Sequence, residues 1–157
     1  MIEVFTAHCV AMVCASALSM TQATEDSIKS RSEICGEVGR RAVESDIDPA
    51  LAIAIAWTET RFSDATNSTS GATGPMQVIP RYWCKTKSRA GCDLIGAGLR
   101  AFSVYKRRTT IREALCRYGS GKSCRESAGG DRYARRVLGF YKRLKKRSRD
   151  ACSVVGC

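Results

Sequence analysis

Asp48-Pro49 opens a run, Ala50-Leu51-Ala52-Ile53-Ala54-Ile55-Ala56-Trp57, that offers no polar side chain on any helical face. Asp48 is placed to cap a helix N-terminus, and Pro49 to take the first helical position, where its missing N–H has no partner to lose. A helix that is apolar all round has no face for water and must be enclosed by other elements. The expected fold class is therefore mainly α. Polar turn residues from Ser63 to Gly71 end the helix near Arg61 or Phe62 and supply a short loop or a small β element after it.

The enclosing elements carry helical periodicity. A helix over residues 26–44 puts Ile28, Cys35, Val38 and Ala42 on one stripe, and another over 93–107 does the same with Leu94, Leu99, Phe102 and Tyr105. Thr110-Ile111-Arg112-Glu113 reads as a capping box. From Asp131 onward Tyr133, Val137, Tyr141 and Leu144 share a face, while nine Lys or Arg and no acid occur between Arg132 and Arg149. Such a basic face suits an anionic wall polymer, acidic phospholipid or nucleic acid, or is a solvated helix surface. The chain has 157 residues, enough for one domain and too few for two.

Residues 1–23 read as a secretory signal peptide. Cys9 to Met20 is apolar and too short to span a bilayer comfortably, and Thr21-Gln22-Ala23 has a small-x-small cleavage pattern. Glu3 is the only charge in the segment, with no Lys or Arg, so an uncleaved anchor is the alternative. The expected organisation is a leader over 1–23, one domain over 24–147, and a loosely ordered basic tail over 148–157 carrying Cys152 and Cys157. Export, to the periplasm or cell envelope, agrees with cysteine use: nine cysteines are many for a reducing cytoplasm. Removal of Cys9 and Cys14 leaves an odd thiol among seven. Cys84 with Cys92, and Cys116 with Cys124, are candidate disulfides, with free buried thiols the alternative.

Several chemistries are excluded. The only histidine is His8, inside the leader, so the remaining chain has no Ser-His-Asp triad, Cys-His pair or histidine-ligated zinc. No GxxxxGK[ST] loop and no GxGxxG appears, and no metal or cofactor is expected. Catalytic proton transfer then falls to a carboxylate, Lys, Tyr or Cys. Glu59 stands out because it ends the apolar helix: desolvation and the negative end of the helix dipole both disfavour its charge and raise its pKa from ~4.3 toward neutrality. The alternative is a last-turn surface acid paired with Arg61.

The residues after Glu59 carry a longer pattern. Glu59-Thr60 leads through Ser68, Gly71, Ala72 and Gly74 to Pro75-Met76-Gln77, with Pro80 beyond. This resembles the Slt-type (family 1) lytic transglycosylases, with E-S followed by S-x-x-G-A-x-G-L-M-Q and a proline. Arg117-Tyr118-Gly119-Ser120-Gly121 resembles the family's A-Y-N-x-G, and Tyr133-Ala134-x-x-Val137-x-x-x-Tyr141 its terminal helix, so the resemblance spans roughly residues 48–141. Thr60, Pro75 and Gly119 depart from the family's Ser, Leu and Asn.

The resemblance implies a goose-type-lysozyme-like domain that cleaves the β-1,4 bond between N-acetylmuramic acid and N-acetylglucosamine. Glu59 would protonate the glycosidic oxygen and then help the muramic acid 6-hydroxyl attack C1, leaving a 1,6-anhydro end. Ser68, Gln77 and Tyr118 would bind substrate, Tyr118 holding the acid or the N-acetyl group. Gly71 and Gly74 would turn the chain tightly and let its backbone approach the sugar. Asp64 reads as a cap or surface residue. The implied partners are peptidoglycan glycan strands, met as a monomer, with no nucleic acid; a secretion, conjugation or phage assembly is a possible setting. A hydrolysing muramidase and a catalytically idle wall-binding scaffold are the alternative functions.

Overall fold

The computed structural model describes residues 2–20, 25–67 and 69–155, with side chains from Cys9 to Met20 and from Ile28 to Asp150 apart from Ser68. Its helices are α1 (Ile2–Leu18), α2 (Glu25–Glu44), α3 (Pro49–Thr60), α4 (Pro80–Trp83), α5 (Leu94–Lys106), α6 (Ile111–Ser120) and α7 (Ala128–Val155). The fold is that of a lysozyme-like helical domain, with α3 at its centre and every residue from Ala50 to Ala56 buried. Asp48 caps α3 by accepting from the Ala50 N–H at 2.9 Å. Its other oxygen accepts from the Tyr141 hydroxyl at 2.7 Å and from Lys145 Nζ at 3.3 Å. Burial opposes the Asp48 charge, but these bonds together hold the carboxyl below the usual range and pin the start of α3 to α7.

No Gly or Pro ends α3. Arg61 at φ 54° and Phe62 at φ 64° are both left-handed, and burial of the Phe62 ring fixes that turn. Beyond it Thr73 bridges both Thr66 and Val78, which is the small β element expected. Around the core, α2 contributes Cys35, Val38 and Ala42 as read from the sequence, whereas Ile28 is exposed. Half of the capping box forms: Thr110 Oγ1 accepts from Glu113 N–H at 3.3 Å. The Glu113 carboxylate turns away to accept from the Cys124 N–H at 3.1 Å.

Helix α7 continues through Ser148 to Val155, over the stretch read as the tail. Helix α1, in the segment read as a leader, buries Val10, Val13, Cys14 and Ala17 against α2, α3 and α7, and Cys14 is bonded to Cys35. An apolar helix in water lowers its free energy by covering its surface, and the α2–α7 side of the core provides the cover. The cleavage position after Ala23 lies outside the described residues. Cys84–Cys92 and Cys116–Cys124 are bonded as anticipated, and Cys9 is the free cysteine among the described side chains.

Candidate active site

Between the end of α3, the loop after it, α5 and α6 lies a cleft of about 460 Å³. Glu59 is the one carboxyl that lines it among the described residues. The all-apolar sequence of α3 drives the helix through the core, and its last turn therefore delivers Glu59 to the cleft partly buried. Desolvation raises the Glu59 pKa to about 7, against a hydrogen bond from Tyr133 and the positive charge of Arg136. At neutral pH the group is poised between acid and carboxylate, the condition for giving and then taking a proton.

Tyr133, on α7, donates its hydroxyl to Glu59 Oε1 at 2.6 Å. Of the two roles expected of Tyr118, the contact with the acid is made by Tyr133. Tyr118 lines the cleft, but its hydroxyl is donated to the Met76 carbonyl at 2.7 Å, fastening α6 to the loop after α3. Burial, and next to it the Glu59 charge, push both phenols well above their ordinary pKa, so both stay protonated. The sequence pattern places Tyr133 on the terminal helix and carries no signal that it meets Glu59, which is 74 residues away.

Gln77 also lines the cleft. Its Nε2 donates to the Ala65 and Gly74 carbonyls at 2.9 and 3.0 Å, so its amide nitrogen holds the loop together. Ser68 lies outside the described residues. Gly71 and Gly74 adopt φ of 70° and 79°, the left-handed turns that favour glycine. A Cβ on Gly74 would meet the Leu94 side chain at 2.8 Å, so this glycine lets the loop lie on α5, while one on Gly71 would meet nothing within 4 Å.

The loop has further supports. Thr60 Oγ1 donates to the Pro75 carbonyl at 3.0 Å and accepts from the Ser63 N–H at 3.1 Å, tying the end of α3 to the turn. Asp64 pairs with Arg89, as a surface acid would. Arg89 also reaches Thr66 and Thr73 Oγ1 at 2.6 and 2.7 Å, from a segment closed by Cys84–Cys92. On the cleft rim Tyr82 is 68% exposed beside Trp83, aromatic surface of the kind that packs against sugar rings.

The central apolar helix thus delivers one carboxyl of raised pKa into an open cleft, where it can give and take a proton near neutral pH. A family model described as the transglycosylase SLT domain matches residues 38–134. That match covers more than half of the chain, and the chain belongs to this family. Comparison with curated proteins and with solved structures gives no match. Membership supports a lytic-transglycosylase-type function on peptidoglycan and action outside the cytoplasm. No helix among the described residues is long and apolar enough to cross a membrane.

Proposed function

We propose that the protein cleaves the N-acetylmuramic acid–N-acetylglucosamine bond of peptidoglycan and leaves 1,6-anhydro ends, for local remodelling or opening of the wall. The reading rests above all on Glu59 standing as the one carboxyl in the cleft among the described residues, with a pKa of about 7. A hydrolase with two carboxylates divides the work between a proton donor and a nucleophile or base. With one, the same group first protonates the leaving oxygen and then, as carboxylate, takes the proton of the sugar's own 6-hydroxyl as it attacks C1. The Tyr133 hydroxyl, bonded to Oε1, orients the carboxyl for both steps. Gln77, Tyr118 and Ser68 belong to the walls that hold the glycan in this reading. Mass spectrometry of purified wall digested by the protein should find muropeptides one water lighter than hydrolysis products. Products carrying the water would make the enzyme a muramidase.

We further propose that the protein is exported to the periplasm or envelope, since its disulfides need an oxidising compartment. Alkylation of protein recovered from there, denatured but not reduced, should leave Cys84, Cys92, Cys116 and Cys124 unlabelled. Labelling of all four would contradict export to such a compartment. Cleavage of a leader after Ala23 with Cys14–Cys35 formed would keep the leader attached until reduction.

A further inference from the structure

The seam between α3 and α7 opens on a second groove, of about 360 Å³, that shares no lining residue with the catalytic cleft. Its aromatic pair is Trp57 and Phe140, stacked with centroids 5.0 Å apart and planes 9° from parallel. Arg61 lies over the Trp57 ring at 5.8 Å and Arg143 over the Phe140 ring at 5.5 Å. Arg135 and Arg136 complete the cationic lining, and no carboxylate takes part in it. Arg135 is paired with Asp131. Among the described residues no ion pair compensates Arg61, Arg136 or Arg143.

Gathering like charges this way is unfavourable unless an anion joins them. Guanidiniums laid on aromatic faces present planar forks that suit carboxylates, and the rings offer apolar surface between them. Gly139 lines the groove beside Arg143. The groove adjoins the catalytic group: Arg136 is close enough to act on the Glu59 charge, Thr58 precedes Glu59 on α3, and Arg61 stands at the C-cap of the same helix. From Arg135 to Arg143 the groove side of α7 runs about 12 Å at ~1.5 Å per residue. That is the reach of about three to four residues of extended peptide at ~3.3–3.6 Å each.

We propose that this groove binds the acidic peptide carried by the glycan strand, with carboxylates on Arg61, Arg136 and Arg143 and aliphatic groups against Trp57 and Phe140. The inference rests on peptidoglycan being the substrate. It makes the enzyme select peptide-bearing over bare strands. A recess between two helices, with an aromatic pair in it, suits a short peptide better than a flat membrane face.

The test compares kcat/KM of the full chain on intact strands and on the same strands freed of peptide by an amidase. Wild type should favour peptide-bearing strands about tenfold, the worth of ~1.4 kcal/mol. Arg61→Gln/Arg143→Gln should bring the ratio near one with the rate on bare strands unchanged, and Arg61→Lys/Arg143→Lys should restore part of it. No preference in wild type, a preference that survives the double Gln change, or an equal fall on both strands would overturn the proposal. If no anhydro product arises from either strand, the functional reading fails instead. A calorimetric titration of Glu59→Gln protein with the free acidic peptide then reads the groove alone: binding lost with Arg61→Gln/Arg143→Gln supports it, and absence of binding sinks it. Binding of phosphatidylglycerol vesicles in place of the peptide, abolished by the same change, would assign the groove to lipid headgroups.

Discussion

Glu59→Gln should fold and lose at least ~10²–10⁴-fold of the rate on peptidoglycan, because the amide keeps the shape and carries no transferable proton. Gln Oε1 can still accept from Tyr133, so the seam between α3 and α7 survives. The same substitution should raise stability at neutral pH. With a folded pKa of about 7, against ~4.3 for a free Glu, the carboxyl is protonated in folded and unfolded chains alike below pH ~4 and contributes nothing there. As pH rises the unfolded chain ionises first, so wild type loses stability progressively until the folded group also ionises near pH 7. The Gln variant avoids that loss, worth up to about 3 kcal/mol at ~1.4 kcal/mol per pKa unit. In kcat/KM the wild type should show an alkaline limb with its midpoint near 7. Undiminished turnover by the folded variant, or a melting temperature no higher than wild type at pH 7, would refute the buried-acid assignment.

Gly119→Asn, which restores the residue found in the family's A-Y-N-x-G pattern, should damage this enzyme. A Cβ on Gly119 would lie 2.5 Å from Tyr133 Cδ1 and 2.6 Å from Cγ. The Tyr133 ring is buried and has little room to withdraw, so it must shift, and with it the hydrogen bond that orients Glu59. Displacing a catalytic group by about 1 Å can cost ~10²-fold in rate, and overpacking a core costs about 1–3 kcal/mol. The loss should fall on kcat more than on KM. In a Tyr133→Phe background, where the hydroxyl is already gone, the same change should cost much less in kcat. Equal losses in both backgrounds would show that Gly119 acts apart from Tyr133.

Residues near one another in the chain carried most of the fold. The all-apolar stretch from Ala50 to Trp57 required a central helix, and Asp48-Pro49 defined its start, because capping and amphipathic patterning act within a few residues. A helix of that kind leaves its last polar residue at the core boundary, so Glu59 and the direction of its pKa shift were legible without coordinates. The loop residues from Ser63 to Gly74 announced a turn for the same local reason.

What the tertiary structure decided depends on how the helices cross. Tyr133 and Glu59 are 74 residues apart, and no periodicity says which of several tyrosines on α6 and α7 meets the acid. Gly74 faces Leu94 on α5, and Gly119 faces the ring of Tyr133, so the need for glycine at both is set by neighbours distant in sequence. Cys14 pairs with Cys35 because α1 packs beside α2, a placement that an apolar leader-like sequence leaves open. Local patterning specifies which face of an element is buried; only the packed molecule specifies against what, and that second choice selects Tyr133 as the partner of Glu59.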